Sequence, residues 1–417
     1  MKCLYCKKEI VSQPVYTEEW GDGAFCNWGC AMALHGIDVG NNIKVPHLIK
    51  VLSIVGTRPE LIKMSEVIKK LDKYTNHIFV HTNQSYDYTM NQIFFDQLNI
   101  RKPDYLLDVK ADTVGEQIGN VLKQTEQVML KENPDALVIL GDTNSCLSAI
   151  IAKRLRIPIF HLEAGNRAFD ERVPEEINRR IVDVTSDINM CYTEHARRNL
   201  LNAGLPPQNI FVIGSPLPEI YAVHKNKIDS SYILDELKLT VGNYIVASLH
   251  REENVSSLKS LDNLIQTLYA LSEKYKRKII FTTHPRTQHN LNILQISSDS
   301  RIMFCQPFGM ADYIKLEQKA FITITDSGTS AEDAAILGLP IVHLREANER
   351  PEAYDAGDLV MCKDTDDVIN AVGMVREQVD SGVKFTNTYG NELNNSDKVV
   401  RLIVGLHRII KQRLYGG

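Results

Sequence analysis

From Lys50 onward the 417-residue chain alternates short apolar runs with amphipathic stretches, and this alternation constrains its fold more than any other feature. Lys50–Val55 reads as a buried strand, followed by a helix over Glu60–Leu71. His77–His81 reads as a second strand, with a helix over Tyr88–Leu98. A helix over Gly115–Lys131, a strand over Ala136–Leu140, a helix over Ser145–Arg154, a strand over Pro158–Leu162 and a helix over Pro174–Thr185 follow. The pattern then restarts. Tyr244–Leu249, Lys278–Thr282, Phe321–Thr325 and Ile341–Leu344 read as strands, separated by helices at Leu258–Lys274, Met310–Lys319 and Ser330–Leu337. Such spacing gives βαβ units and parallel sheets, so an α/β fold is expected. Between the two series lies Val212-Ile-Gly-Ser-Pro-Leu-Pro218, whose glycine and two prolines make a hinge. The expected organisation is two parallel-sheet domains, 48–217 and 218–390, with a cleft between them. A terminal helix falls in 395–417, centred on Asp397–Gln412, and a segment of different character occupies 1–45.

Composition narrows the partners. Hydrophobic content of 44% and charged content of 24% are ordinary for a globular chain. A formal net charge of -5 argues against nucleic acid or a membrane surface. No apolar run reaches the ~18 residues that a membrane span needs. The start, Met1-Lys-Cys-Leu-Tyr-Cys6, carries no apolar run before a cleavage-like site, so a cytoplasmic location is expected. Cys146, Cys191, Cys305 and Cys362 stand singly among apolar residues and read as reduced core residues. Cys3, Cys6, Cys26 and Cys30 fall together in the first segment, beside Trp20 and Trp28.

In parallel α/β sheets ligands bind at the carboxyl ends of the strands, so the residues just past each strand carry the functional signal. The first strand exits into Gly56-Thr-Arg-Pro-Glu60, with Lys63 one helical turn on. The third exits into Gly141-Asp142-Thr143 and the fourth into Glu163-Ala-Gly-Asn-Arg167. In the second series Leu249 leads to His250-Arg-Glu-Glu-Asn254, Thr283 to His284-Pro-Arg286, and Thr325 to Asp326-Ser-Gly328. A helix N-cap explains Asp142 or Ser327 singly, but capping does not explain the pattern across two sheets. Ser327-Gly328 at a helix start offers free amides and a helix dipole to a diphosphate. Arg58, Lys63 and Arg350 offer cations to the same charge. Glu332 or Asp333 would accept from ribose hydroxyls. Asp142, Glu163 and Glu175, with His250 facing them, are equipped for general acid–base chemistry on a nucleotide-linked substrate. Neither a Gly-x-Gly-x-x-Gly after the first strand nor a Walker A sequence is present, so neither a nicotinamide cofactor nor ATP is expected. His284 and Arg286, and the Arg251–Glu252 pair, also have simple readings as surface residues.

Taken together, Gly56-Thr-Arg-Pro-Glu-Leu-Ile-Lys63, Gly141-Asp-Thr143, His161-Leu-Glu-Ala-Gly165, Pro174-Glu-Glu-Ile-Asn-Arg179, His250-Arg-Glu-Glu-Asn254, Asp326-Ser-Gly328 and Glu349-Arg-Pro-Glu352 resemble the non-hydrolysing UDP-N-acetylglucosamine 2-epimerases. The resemblance runs in order over about residues 49–390. It implies a GT-B architecture, two Rossmann-like domains with UDP in the cleft, and a homodimer. It also implies the chemistry: elimination of UDP across C1–C2 to a glycal and re-addition with C2 inverted, without an organic cofactor. The family's motifs place Asp142 and Glu175 as the proton-transfer pair, Glu163 beside them, and Lys63 and His250 in support. They assign UDP-sugar binding to Arg58, Pro59, Gln84, Asn166, Arg167, Arg179, Arg251, Asn254, Tyr313, Ser327, Gly328, Thr329, Glu332, Asp333 and Arg350, with Tyr313 at the uracil-stacking position.

Two departures refine the resemblance. Asn166 stands where the glucosamine enzymes carry Leu. With Phe169–Asp183, Thr185-Ser-Asp187 and Gly141-Asp-Thr-Asn-Ser-Cys146, it is similar to the branch acting on UDP-2-acetamido-2,6-dideoxy-L-hexoses, which supplies donors for surface polysaccharides. A UDP-N-acetyl-6-deoxy-L-hexosamine is therefore the expected substrate, with UDP-N-acetylglucosamine the alternative. Gln84-Ser85-Tyr86 replaces the Gln-His-Arg of the glucosamine enzymes' activator site, which puts that regulation in doubt.

Cys3-x-x-Cys6 and Cys26-x-x-x-Cys30 resemble a zinc ribbon. Four thiolates at this spacing suit tetrahedral zinc, which would stabilise a segment too small for its own core. The family does not normally carry such a module, and docking to a protein partner or bracing the dimer are its open roles. A GT-B glycosyltransferase, a hydrolysing epimerase and a UDP-sugar sensor are the competing functions.

Overall fold

The computed structural model describes residues 48–84, 95–255, 257–283, 285–345 and 348–416, with the backbone of two short strands, β1 (Val15–Tyr16) and β2 (Ala24–Phe25). β1 and β2 pair antiparallel and belong to a first compact unit, Met1–Ile49; Lys50–Gly417 forms the second. Cys3, Cys6, Cys26 and Cys30, and with them the zinc expectation, lie outside the described residues. So do His284 and most of the helix expected over Tyr88–Leu98, of which Phe95–Leu98 is described and helical.

The second unit holds two parallel sheets. The first contains β3 (Lys50–Val55), β4 (Asn76–His81), β5 (Tyr105–Leu106), β6 (Ala136–Leu140), β7 (Ile159–Leu162), β8 (Ile188–Cys191) and β9 (Ile210–Val212), in the order β5-β4-β3-β6-β7-β8-β9. The second contains β10 (Tyr244–Ser248), β11 (Lys278–Thr282), β12 (Ile302–Cys305), β13 (Ile322–Thr325), β14 (Ile341–Leu344) and β15 (Val360–Cys362), in the order β12-β11-β10-β13-β14-β15. Helices cover both faces of each sheet. The central strands are accordingly apolar along their whole length: β6, Ala-Leu-Val-Ile-Leu, is buried at every position. Leu52, Ile54, Leu137, Ile139 and Ile159 centre one core, and Ile245, Ala247, Ile279, Phe281 and Ile324 the other.

In both sheets the strand order reverses beside the first strand, between β3 and β6 and between β10 and β13. At such a switch point the loops leave in opposite directions and open a crevice at the carboxyl ends. Gly56 and Gly141 leave the first crevice, His250 and Asp326 the second.

Most expected elements form where the sequence places them. The helix Arg58–Tyr74 extends the expected Glu60–Leu71. The stretch Ser145–Arg154 instead divides into a 3-10 turn, Asn144–Leu147, and a helix, Ser148–Arg154. The 212–218 segment is the crossover between lobes. Ser215 Oγ donates to Glu332 of the second lobe at 2.6 Å, and Asn395 donates to the Ile213 and Gly214 carbonyls. The terminal helix, Asn395–Tyr415, returns to the first lobe, where Asp397 pairs with Lys70 of helix Arg58–Tyr74 at 2.9 Å. Among the described residues no helix is long and apolar enough to cross a membrane.

Candidate functional site

The loop after β3 is fixed by its own sequence. Thr57 and Glu60 form a capping box for helix Arg58–Tyr74. The Glu60 carboxylate accepts from the Gly56 amide at 3.0 Å, the Thr57 amide at 2.8 Å and the Thr143 hydroxyl at 2.9 Å. Glu60 therefore ties the first strand end to the third. Gly56 is required by close approach, since a Cβ there would lie 2.0 Å from Ser145 Oγ. This loop aims Arg58 across the cleft, where its guanidinium donates to the Phe308 carbonyl at 2.8 Å. Burial lowers the Arg58 pKa to about 10.

Two neighbouring loops present the acids. Gly141, at φ 81°, turns the chain from β6 into Asp142. Glu163 follows β7 at φ 60°, a conformation that costs a non-glycine residue on the order of 1 kcal/mol or more and is characteristic of functional sites. Asp183 pins this loop: its carboxylate takes the Gly165 amide at 3.2 Å and Arg167 at 2.6 Å, and it lies 3.1 Å from His161 Nδ1. The other ring nitrogen of His161 is 2.7 Å from the Gly141 carbonyl, so the two acid-bearing loops are braced together. Asn178 adds a hydrogen bond to the Asp142 carbonyl at 3.0 Å.

The charged side chains then alternate. Arg179 bridges Asp142 at 2.5 Å and Glu163 at 3.2 Å. Lys63 bridges Glu163 at 2.5 Å and Glu332 of the second lobe at 2.9 Å. Arg350 completes the ring, 3.4 Å from Glu163 and 3.2 Å from Glu332. All six side chains are largely buried, and a buried ionic network of this kind is costly unless each charge is compensated. The two acids that share Arg179 diverge. Burial pushes Asp142 up to about 7 against the pull of Arg179, with Glu349, Glu163 and Glu175 adding to the rise. Burial also disfavours ionised Glu163, but Lys63, Arg350 and Arg179 overcome it and hold that carboxyl well below the usual range. One acid titrates near neutrality beside one that stays charged, a division suited to acid–base chemistry.

The second lobe supplies a framed anion site. The Asp326 carboxylate accepts from the His250 amide at 3.0 Å, the Arg251 amide at 2.9 Å and Asn254 Nδ2 at 2.8 Å. It thereby holds the loop after β10 against Ser327-Gly328-Thr329 at the start of helix Ser330–Leu337. Between the lobes lies a cavity of about 360 Å³. Arg58, Pro59, Lys63 and His250 line it with Ser327 and Thr329, and Phe308, Tyr313 and Asp333 contribute further wall. Lys63 belongs to both cavity and ionic ring, so the acids adjoin the cavity through it.

Other expected residues fall into distinct places. Glu175 is exposed on the first turn of helix Pro174–Thr185, near enough to Asp142 to raise it but outside the ring. Glu332, Arg350, Arg179, Arg167 and Asn254 face protein partners, and Glu332 pairs with Lys63 and Arg350 and accepts from Ser215. Arg251 donates to the Asp326 carbonyl at 3.1 Å, and Gln84 accepts from Ser145 at 2.8 Å. Asn166 is buried, with its Nδ2 unmet by any hydrogen bond among the described residues. The Arg286 side chain lies outside the described residues. Sequence reasoning overlooked Glu349, which approaches Gly328 closely enough that a Cβ there would meet its Oε1 at 2.8 Å. It also overlooked Tyr192, whose ring lies 5.6 Å from the Lys63 ammonium, and Phe308 of the cavity wall. Glu349 stands inside the Glu349-Arg-Pro-Glu352 motif and was within reach; Tyr192 follows the unexpected strand β8 and carried no signal. Among the described residues no group of three or more His, Cys, Asp or Glu side chains is placed to hold a metal.

Residues 69–404 match the family model described as UDP-N-acetylglucosamine 2-epimerase. A structure of UDP-N-acetylglucosamine 2-epimerase from Rickettsia bellii is 46% identical with a TM-score of 0.82, covering 89% of this chain and 100% of that one. The UDP-N-acetylglucosamine 2-epimerase of Methanocaldococcus jannaschii is 36% identical over 85% of this chain and 99% of its own. A crystal structure of UDP-GlcNAc 2-epimerase from that organism, in complex with UDP-GlcNAc and UDP, has a TM-score of 0.80 at 34% identity, covering 86% of this chain and 100% of that one. The UDP-2,3-diacetamido-2,3-dideoxy-D-glucuronate 2-epimerase of Pseudomonas aeruginosa is 35% identical over 77% of this chain and 90% of its own.

Proposed function

The chain belongs to the UDP-N-acetylglucosamine 2-epimerase family and is a non-hydrolysing UDP-sugar 2-epimerase, and from that premise we propose how its own residues carry the reaction and which sugar it takes. A base removes the C2 proton, the C–H electron pair forms C1=C2, and the C1–O bond breaks to release UDP. A proton delivered to the opposite face of C2 and return of the diphosphate oxygen to C1 give the epimer. Every atom and electron is returned, so no oxidant or reductant enters. The observation that supports this reading is the divided acid pair, Asp142 near neutrality and Glu163 ionised, at the Lys63 edge of the interlobe cavity.

Asp142 is the proton-transfer group, because it changes charge in the working pH range. Glu163 keeps Lys63 and Arg179 oriented and sets the field around the sugar. Glu175, beside Asp142 and open to solvent, serves the opposite face. Charge building on the departing diphosphate meets Arg58, His250 and the amides of Ser327-Gly328, aligned before reaction begins. Asp333 takes the ribose hydroxyls, and Tyr313 with Phe308 the uracil.

For the hexose, Asn166 and the Phe169–Asp183 segment favour a UDP-N-acetyl-6-deoxy-L-hexosamine, a precursor for surface polysaccharide. The relatives' names favour UDP-N-acetylglucosamine, and the Pseudomonas relative's name shows that sugar identity varies within the family. A single pocket residue suffices to shift such a preference. Ile177, Ile181 and Val184 are exposed along one face of helix Pro174–Thr185, which supports the homodimer that the family resemblance implies.

Incubating the enzyme separately with each UDP-sugar and following proton NMR tests the assignment. Faster C2 inversion of the 6-deoxy-L-sugar is expected. Faster turnover of UDP-N-acetylglucosamine reverses the substrate reading, and no C2 epimer from either removes the N-acetylhexosamine class.

A further inference from the structure

Glu349 is a charged side chain at the diphosphate site to which the elimination gives no task. It follows β14 in a turn that its neighbours fix. Asn348 Oδ1 accepts from the Arg350 amide at 3.2 Å, and Asn348 Nδ2 donates to the Arg350 carbonyl at 3.1 Å. From this turn Arg350 reaches into the ionic ring, 3.4 Å from Glu163, and Glu349 reaches the phosphate loop. A Cβ at Gly328 would meet Glu349 Oε1 at 2.8 Å, and Ser327 and Thr329, on either side of Gly328, line the cavity. Glu349 is half-buried, and among the described residues its carboxylate makes no hydrogen bond or ion pair.

The charges around it make this an unfavourable place for an acid unless it has a use. Burial and nearby Glu163 work against an ionised Glu349, but Arg179, Arg350 and Arg345 hold it below the usual carboxylate range. It therefore stays negative beside amides that face a diphosphate, and like charges repel. Its other neighbour is Asp142. Burial raises that acid, and among the surrounding carboxylates Glu349 adds most, ahead of Glu163 and Glu175. Glu349 thus stands between the loop that holds the diphosphate and the acid that works on C2.

A reachable carboxylate at an anion site calls for a donor on another part of the ligand. The diphosphate is bonded to C1, and Asp142 faces C2. The donor nearest to both is the acetamido N–H on C2, which an ionised carboxylate accepts in a charge-assisted hydrogen bond. We propose that Glu349 holds the C2 acetamido group of the hexose by accepting its N–H, so that it selects 2-acetamido sugars and turns C2–H toward Asp142. This rests on the reading that Ser327-Gly328 takes the diphosphate and Asp142 the C2 proton.

Calorimetric titration of the full chain tests it, using wild type, Glu349→Gln and Glu349→Ala. The ligands are UDP, whichever of the two UDP-N-acetylhexosamines the enzyme inverts faster, and that sugar's 2-deoxy counterpart, which lacks the acetamido group. Wild type prefers the acetamido sugar to the 2-deoxy sugar by about tenfold, the scale of one hydrogen bond to a charged group. Glu349→Ala loses that preference to within about twofold. Glu349→Gln, whose carbonyl still accepts, keeps most of it. UDP alone binds both variants about threefold more tightly, because a like charge has left the phosphate loop. The pH profile adds a reading independent of affinity. Removing a negative neighbour favours ionised Asp142, so the rise of kcat/KM through about pH 7 moves to lower pH in Glu349→Gln. An unchanged acetamido preference in Glu349→Ala overturns the proposal, as does weaker UDP binding in both variants or an unmoved rise in Glu349→Gln. Ser327→Trp, which fills the phosphate loop, separates the two readings. Loss of UDP binding there, with the acetamido preference intact in Glu349→Ala, sinks only the role of Glu349. Normal UDP binding there places the diphosphate elsewhere and sinks both.

Discussion

Asp142 and Glu163 share one guanidinium, yet one is a carboxyl poised near neutrality and the other a fixed charge. The difference comes from their cations: Glu163 touches Lys63, Arg179 and Arg350, whereas Asp142 touches Arg179 alone and has Glu349 nearby. Asp142→Asn removes the titrating group with little change of shape, so kcat falls about 10²- to 10⁴-fold while UDP affinity stays within about threefold. A loss of turnover smaller than about tenfold contradicts the assignment. The sign of the pH dependence follows from the raised Asp142 value. As a base the group works ionised, so kcat/KM rises through about pH 7 and levels above it; a profile flat from pH 5 to 8 tells against Asp142 as the base. Asp142 and Glu163 were legible because strand ends in parallel sheets are where ligands bind. Their division of labour was not, because it depends on which cations reach each acid. The exposure of Glu175 was equally hidden, since adjacent helix residues face different ways.

At the scale of elements, Gly56, the glycine just before the Thr57 cap of helix Arg58–Tyr74, controls both stability and aim. Gly56→Ala places a methyl group 2.0 Å from Ser145 Oγ and 2.4 Å from Thr82 Oγ1. Relief requires moving the loop that carries Arg58, so a loss of about 1–3 kcal/mol in denaturant unfolding is expected, together with a raised KM. A variant with wild-type stability and KM would show that the loop is not tightly set. Long periodic helices and the central strands β3, β6, β10 and β13 were readable because their apolar residues serve one core. β5, β9, β12 and β15 escaped notice because they have two to four residues and lie at or near sheet edges. β8 escaped because it contains the buried polar residue Asn189, whose Nδ2 donates to the Asp183 carbonyl at 3.0 Å. The 3-10 turn at Asn144–Leu147 follows from Asn178 and Gln117 holding Asn144, partners distant in sequence.

At the scale of the whole molecule, two switch-point crevices face one another, and Lys63–Glu332, Arg350–Glu163 and Arg58–Phe308 join the lobes across them. In the proposed mechanism such bridges keep water from a glycal that would otherwise escape or be hydrolysed. The two-sheet plan was legible from the repeated alternation, whereas the return of the terminal helix to the first lobe was not, because its anchors, Lys70 and Glu219, are remote in sequence. The proposed homodimer is tested on the stripe of helix Pro174–Thr185. Light scattering should report a dimer for wild type and a monomer for Ile181→Asp, which places a charge at the centre of the stripe; a monomeric wild type contradicts the dimer, and an unchanged dimer in the variant locates the interface elsewhere. The central claim is inversion at C2 by proton removal and return, and turnover in D2O tests it most directly. Both substrate and product should acquire one deuterium at C2, with no free UDP accumulating in step. A product epimerised at C2 that retains protium there would contradict the mechanism.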